Sequence, residues 1–514
     1  MNRFVSLNLL AATLVGFAGA TSAADPVPTT SFNLIGYIQQ FRMCVASDGP
    51  WCADPNDPRA GAIMKVNGIT VIVPKNSYVV MPGSYLKPKD IFDKKLPVAG
   101  VGQSGLALED TPPPAYPYTA DLIGNIVDGE YRAGLVNIMQ LPLQTASGFI
   151  KDITADGEML IGPALNNPAV SMRVRLNDPD IGTGTGRYGK AQSADERFRA
   201  DQGNPTVHAA TGYPLCVPKP ATPECPASNR PNGADGKPLH RFTVGTTAAL
   251  NDAPACGSAC NANKMVPLAV DDYVTYTGIL VKEPTASDPN ASYISASALE
   301  ADLGIFTEKG KNPAYVFIEE ALLGSGGSAF PGLDQETGPG KVVPGQNLVT
   351  RFRIVGFTTD PSRNVDVFAL DAKMPIEKGK FTERLLSSVR PEPVAPMGRF
   401  RITVDQQVFM PPTREIRARI QGILGSSVLP PAEPAKAANG LIYGEYTAPV
   451  AEYIFPEGRV FGAKKPLPGA IPANFEDLCF LSRGWWPEDE DKPLQALEPW
   501  PESGHDRLSS SFCN

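Results

Sequence analysis

Histidine is the side chain most often used for acid–base chemistry near neutral pH, and it is scarce in this chain. It occurs three times, as His208, His240 and His505. This disfavours a His-rich metal site, although a Ser-His-Asp triad would need only one histidine. The segments GQSG and GSGGS both miss the G-x-S-x-G spacing of a nucleophile elbow. For His208, which lies among turn residues, we expect a hydrogen bond near a disulfide.

Two short segments carry oxygen ligands at a spacing that Ca²⁺ could use. They supply Asn177, Asp178 and Asp180 in NDPDIG, and Asp54, Asn56 and Asp57 in CADPNDPRAG. Neither segment has the EF-hand spacing, and Asp or Asn before Pro is also an ordinary turn starter. We therefore predict no cofactor and keep Ca²⁺ as the alternative at both segments.

Three further motifs have both a functional and a plain structural interpretation. In GTGTGRYGK (182–190), Ala191 follows Gly-Lys where a P-loop needs Ser or Thr, so we predict a loop. The acidic run 488–491 could bind a cation or a basic partner, but we favour a solvated loop. Trp485, Trp486 and Trp500 could stack on sugar rings, although we favour a small core. A fourth motif, Asn290-Ala291-Ser292, fits a glycosylation acceptor.

The eight cysteines fall into four pairs that are close in sequence. We predict disulfides between neighbours, although eight cysteines allow about 105 pairings. A zinc site would need more Cys or His near the isolated CGSAC segment. The predicted disulfide residues are Cys44, Cys52, Cys216, Cys225, Cys256, Cys260, Cys479 and Cys513.

The first residues predict export. Arg3 is followed by a short apolar stretch, residues 9–18, and by small residues that allow cleavage after Ala23 or Ala24. No later run approaches the roughly 18 apolar residues of a membrane span. We therefore expect a secreted or periplasmic protein without a membrane span. The net charge of −8 argues against nucleic acid as a partner.

The composition favours short strands and long connections over helix bundles. Apolar residues reach 42%, charged residues only 19%, and the chain has 52 prolines and 48 glycines, which interrupt helices. A chain of this length is expected to form roughly three to five domains. We predict a mainly β protein, with several small OB-like barrels or β-sandwiches in series, few helices and a long irregular insertion pinned by disulfides.

Turn motifs place many of the strands. Asn67-Gly68 predicts a type I′ hairpin within 62–76, and Asp-Gly at 128–129 and 156–157 predicts two more. Five short strands in about seventy residues then suggest a small barrel. EKGKFTERLLSSVR (377–390) reads as a helix, and EIRARIQGIL as a strand or a helix.

The predicted division of the chain follows these signals. It comprises a signal peptide (1–24), an N-terminal β-hairpin domain (25–110), a first small β-barrel (118–184), an irregular Cys-containing insertion (185–263), a second β unit (264–345), a third β unit with one helix (346–428) and a C-terminal disulfide-closed segment (440–514).

Several segments resemble sequences of a known protein family. The sequences GEYRAGLVNIMQ, NPTVHAATGYPLCVP, DDYVTYTGIL and YISASALEADLGIFT resemble those of a family of large exported proteins from bacteria and filamentous fungi that has no established activity. The resemblance covers most of residues 60–375. It implies export and β-rich barrels, and it assigns no catalytic residue.

The sequence thus favours a secreted multi-domain β protein with a binding or structural role at the cell surface or outside the cell. Its partner would be an extracellular ligand or surface component that contacts barrel faces or loops on a rigid scaffold. The alternative is an extracellular hydrolase that acts on polysaccharide through paired carboxylates. A third hypothesis is assembly through exposed sheet edges.

Overall fold

The computed structural model contains mostly strands, which make up 49% of it against 7% helix, as the composition predicts. It describes residues 30–454 apart from 56, 58, 76, 95–99, 128, 141–143, 179–194, 202–203, 205, 219–222, 246–252, 327–348, 373–380, 393–397, 407–414, 424–434, 438–439 and 451.

The first unit is a closed five-stranded barrel with a short hairpin added to it. Around the barrel the strand order is β1-β2-β3-β7-β6, and β6 returns to β1. Strands β3 and β7 are parallel, and the other barrel pairs are antiparallel. This is the order of an OB-fold. The elements are β1 (Thr30–Met43), α1 (Pro50–Ala53), β2 (Ala62–Val66), β3 (Ile69–Val73), β4 (Val79–Met81), β5 (Ser84–Leu86), α2 (Pro88–Asp93), β6 (Thr119–Val127) and β7 (Glu130–Met139).

The predicted hairpin between β2 and β3 is confirmed. Asn67 and Gly68 have φ angles of 51° and 78°, which is the left-handed conformation that a type I′ turn requires. Met64 and Val71 face each other in the barrel core, whereas Ile63 and Ile72 lie opposite each other on the outer face. Strand alternation therefore gives this hairpin two apolar faces, and the outer one needs its own cover.

The second unit repeats this topology. Its barrel order is β8-β9-β10-β16-β15, with β15 returning to β8 and β10 parallel to β16. The connection from β10 to β15 spans 177–272 and carries four short strands, of which β11 extends the barrel sheet beside β16. The strands are β8 (Gln144–Ile153), β9 (Met159–Gly162), β10 (Met172–Leu176), β11 (Val207–Ala209), β12 (Leu215–Cys216), β13 (Arg241–Val244), β14 (Val266–Pro267), β15 (Tyr273–Lys282), β16 (Ser292–Ala301) and β17 (Gly304–Thr307).

The third unit is a sandwich of two four-stranded sheets. One sheet has the order β22-β19-β18-β25 and the other β21-β20-β23-β24, with a shared apolar core between them. The strands are β18 (Val316–Gly326), β19 (Val349–Thr358), β20 (Val365–Ala372), β21 (Phe381–Val389), β22 (Arg399–Gln406), β23 (Glu415–Ile420), β24 (Glu445–Pro449) and β25 (Glu452–Ile454).

The helix predicted at 377–390 is wrong over its described part, because residues 381–389 form strand β21. This strand pairs along its length with β20, and Leu386 and Val389 pack against the sandwich core while Leu385 stays 56% exposed. Pairing with β20 therefore overrides a local pattern that favoured helix. The ambiguous EIRARI segment is strand β23.

Strand pairing crosses the unit boundaries drawn from the sequence. The five strands expected to form one barrel within 118–184 divide between two sheets, because β6 and β7 pair with the first barrel and β8 to β10 with the second. In the same way, the sandwich includes β18, which lies before the third predicted unit, and β24, which lies after it. Both barrels close through parallel pairs between distant segments, and no local turn motif marks such pairs.

Three disulfides lie within the described residues, and each joins neighbours in sequence. They link Cys44 to Cys52, Cys216 to Cys225, and Cys256 to Cys260. The first closes the loop between β1 and β2, and the other two lie in the long connection of the second barrel. Cys479 and Cys513 lie outside the described residues. Within the described ranges, no helix has the length and apolar character needed to cross a bilayer.

Candidate functional site

The face that OB-folds commonly use for ligands is covered in the first barrel by the chain itself. That face is formed by the second and third strands and the loops beside them. Here Trp51, carried by the disulfide loop, packs on Ile63 and Ile72. The Arg59 guanidinium lies 5.3 Å from the Trp51 ring and 3.4 Å from Glu130. This loop therefore occupies the surface that a ligand would contact.

The same face of the second barrel is filled by an ion-pair network. Arg173 and Arg175 project outward from β10, and both bind Glu158 and Glu283, which lie at the two adjoining loops. The Arg175 guanidinium also lies 4.1 Å from the ring of the buried Tyr293. Hydrogen bonds from Arg175 and Arg173 hold the pKa of Glu283 below its ordinary value, so this carboxylate stays ionised at neutral pH. The arginines are thus neutralised internally.

The best candidate for recognition is an outward strip on the neighbouring strands β8 and β15, here called the aromatic–hydroxyl strip. At one end the rings of Phe149 and Tyr273 meet edge to face, with centroids 5.1 Å apart, and Tyr273 is 41% exposed. Cross-strand neighbours face the same side of a sheet, so the next pairs along the two strands continue the strip. These are the hydroxyl pairs Ser147–Thr275 and Thr145–Thr277.

Each hydroxyl pair has an oxygen–oxygen distance of 2.8 Å. In such a pair one hydroxyl donates to the other, which leaves one O–H and several lone pairs for an outside partner. Successive pairs on a strand are two residues apart, so the three rows span about 13 Å. The strip can therefore offer a ring surface and uncharged donors and acceptors at once.

Carboxylates border the strip on the next strand, β16. Glu300 lies opposite Thr275 in register and is partly exposed. Its pKa is raised, first by partial burial and then by the charges of Glu319 and Asp302. This edge is acidic and would repel polyanions.

One buried carboxylate lies between the first barrel and the sandwich. Glu415 of β23 accepts hydrogen bonds from the hydroxyls of Tyr78, at 2.9 Å, and Tyr85, at 2.6 Å. Burial, followed by the Glu415 charge, raises the pKa of Tyr85 well above its ordinary value, so this phenol stays protonated and donates. Because both carboxylate oxygens accept from tyrosine, Glu415 joins the two units.

His208 is buried and contacts only other parts of the chain. It lies in β11, its ring is 4.2 Å from that of Phe317, and its Nδ1 lies 2.8 Å from the carbonyl oxygen of Ala209. Burial lowers its pKa to about 4, although the bond to Ala209 opposes the shift. The imidazole is therefore neutral at pH 7 and donates to this carbonyl.

The other histidines do not form a site in the described residues. His240 is 59% exposed, and its Nε2 lies 3.4 Å from the buried carboxylate of Asp272. That carboxylate is already bound by Arg230 at 2.7 Å. His505 lies outside the described residues.

Described side chains of both calcium candidates contact the protein itself. Asp57 binds the Arg59 guanidinium at 2.7 Å. The amide nitrogen of Asn177 donates to the carbonyl of Asp195, while its Oδ1 is buried without a partner among the described residues. Asn56 and Asp180 lie outside the described residues, as do 182–190, the acidic run and the three tail tryptophans. No group of three or more His, Cys, Asp or Glu able to hold a metal ion occurs in the part of the chain that the structure describes.

One strand of the aromatic–hydroxyl strip is visible in the sequence, although nothing in the sequence marks it as a site. The alternation of Tyr273 and Thr275 with Val274 and Tyr276 marks an amphipathic strand. What it does not reveal is that β8 lies beside β15, since these strands are separated by more than a hundred residues. Comparisons with protein-family models, with curated protein sequences and with solved structures give no match to this chain.

Proposed function

We propose that this chain is an exported protein that binds a ligand at the cell surface or outside the cell, and that the aromatic–hydroxyl strip makes the contact. Disulfides support export because they persist in oxidising compartments. The observation that carries the binding role is the Phe149–Tyr273 ring pair, in which Tyr273 is exposed, in line with two hydroxyl pairs. The face that an OB-fold commonly offers to ligands is covered in both barrels, whereas the face that carries the strip is not covered by these groups.

The chemistry of the strip suits an uncharged, polyhydroxylated ligand such as a neutral polysaccharide. An aromatic ring offers an apolar face to the C–H groups of a sugar ring, while hydroxyls exchange hydrogen bonds with its O–H groups. The acidic border at Glu300 disfavours sulfated or uronic polymers by like-charge repulsion. A span of about 13 Å is long enough for more than one sugar unit.

The test is a binding assay with the mature chain and insoluble neutral polysaccharides, such as cellulose, chitin and β-glucan. For Tyr273→Ala we expect an affinity roughly tenfold lower than that of the wild type, which corresponds to about 1.4 kcal/mol. The double variant Thr275→Val with Thr277→Val keeps the β-branched shape and removes two hydroxyls, so it should also weaken binding.

Tyr37→Ala is the matched control, because Tyr37 is a 50% exposed tyrosine on the outer face of the first barrel. Equal weakening by Tyr37→Ala and Tyr273→Ala, or no retention on any neutral polysaccharide, would refute the proposal. The hydrolase alternative predicts a different result in the same assay: release of soluble sugar that one Asp or Glu substitution abolishes.

A further inference from the structure

Arginines of the described residues commonly bind a carboxylate, as in the pairs Arg197–Asp195 and Arg230–Asp272. Arg399 and Arg401 differ, since neither side chain has a hydrogen-bond or ion-pair partner among the described residues. The Nε of Arg399 is moreover buried without an acceptor. A buried donor on a charged group that lacks a partner is costly, so the described residues leave this group unsatisfied.

Both arginines project from the same face of β22. Their neighbours Phe400 and Ile402 point into the sandwich core, so Arg399 and Arg401 point away from it. Arg399 is half-buried and lies opposite Phe357, whereas Arg401 is exposed. Two residues along a strand separate their Cα atoms by about 6.7 Å, which lets both guanidinium groups reach one small ligand.

The charged side chains described near this face do not compensate the two arginines. On the adjacent strand Arg353 lies opposite Thr403 and binds Glu320 at 3.0 Å, so that carboxylate is already engaged. Glu392 donates its backbone N–H to the carbonyl of Arg399, but its side chain forms no ion pair with the guanidinium. The face therefore carries two positive charges that have no partner among the described residues, on a protein whose net charge is −8.

We infer that Arg399 and Arg401 form a binding site for a tetrahedral oxyanion, namely sulfate or a phosphate group, either free or attached to a larger molecule. A guanidinium presents parallel N–H donors that match two oxygens of such an anion. The anion would also supply the acceptor that the Nε of Arg399 lacks. This site lies on the sandwich, and it does not depend on the proposed function of the second barrel.

The experiment titrates the full mature chain with sodium sulfate and sodium phosphate against sodium chloride at equal ionic strength, with calorimetry to measure Kd. Arg399→Lys keeps the charge and the half-buried stem but removes the fork, and Arg401→Gln changes an exposed position. We expect each to raise the Kd for sulfate about tenfold. Arg390→Gln is the charge-matched control, because Arg390 is exposed just after β21 in the other sheet and has no described partner.

A second arm measures retention of the same variants on dextran sulfate. Stronger binding of the polymer than of the free ion, lost in Arg399→Lys and Arg401→Gln, would support a polymer-borne group as the source. Binding of the free ion alone would support an inorganic ion. The inference is overturned if sulfate and phosphate act only as chloride does, or if Arg390→Gln weakens binding as much as the other two substitutions.

Discussion

The strongest prediction on pH concerns His208, whose neutral imidazole is enclosed between β11 and the sandwich. Its pKa falls from 6.5 to about 4 on burial, so the unfolded chain binds a proton more readily than the folded chain between these values. Stability is therefore unaffected by this group above pH 6.5 and declines as the pH falls from 6.5 towards 4. At pH 5 the two pKa values give a loss of about 2 kcal/mol relative to pH 7.

Two substitutions isolate this contribution from the carboxylates that titrate in the same range. His208→Asn keeps an N–H donor for the carbonyl of Ala209 and does not titrate, and His208→Phe keeps a ring against Phe317. Both should lower stability at pH 7, because neither reproduces the native packing and hydrogen bond together. Both should also lose less stability than the wild type between pH 7 and pH 5.

Differential scanning calorimetry suits a chain of several units, because the units can unfold in separate peaks. The peak whose Tm falls on substitution of His208 belongs to the unit that contains His208. For a unit of 150–250 residues, about 2 kcal/mol corresponds to a Tm shift of about 4–8 °C. The wild-type peak should therefore fall by that much more than the variant peaks when the pH changes from 7 to 5. Parallel shifts in wild type and variants would refute the assignment of a buried neutral imidazole.

Three further predictions concern stability. Tyr85→Phe removes a 2.6 Å hydrogen bond to the buried Glu415 and should cost about 1.5–3 kcal/mol, measured as a lower urea midpoint and faster proteolysis between the first barrel and the sandwich. Gly278→Ala places a methyl group 2.1 Å from the carbonyl oxygen of Ser295 at the bulge of β15. This clash should lower the free energy of unfolding by about 1–3 kcal/mol or more, which would be measured as a lower Tm. Replacing Cys216 and Cys225 by serine opens a loop with a sequence separation of 9 and should cost about 3 kcal/mol, which calorimetry without reductant would detect.

Local chemistry explains which parts of the fold could be predicted. Asn67-Gly68 determines a tight turn whatever lies elsewhere in the chain, and Gly157 with a φ angle of 88° does the same in the second barrel. Barrel closure depends on contacts that no local motif encodes, such as Val71 with Tyr131 and Val174 with Ile294. The class of fold was therefore accessible from the sequence, whereas the membership of each sheet was not.

The candidate site likewise combines features that are visible locally in the sequence with contacts that only the fold creates. In one strand of the aromatic–hydroxyl strip the alternation of outward and inward residues is visible in the sequence. The strip is complete only with Ser147 and Phe149, which the fold places beside that strand. The predicted helix at 377–390 failed for a related reason. Glu383 there binds Arg417 at 2.7 Å and Arg419 at 2.6 Å on β23, and these partners favour a strand that no local propensity predicts.

The two barrels share a topology that often binds oligonucleotides or oligosaccharides, yet topology alone does not determine function. In each barrel the chain's own groups occupy the customary face: an indole in the first, and arginines held by Glu158 and Glu283 in the second. An outside anion would have to displace those carboxylates and leave the buried Glu158 without its partners, which is costly. The proposed recognition is therefore assigned to a face whose polar groups already bind one another in pairs and can still form further hydrogen bonds. The hydroxyl pairs beside Tyr273 meet that condition.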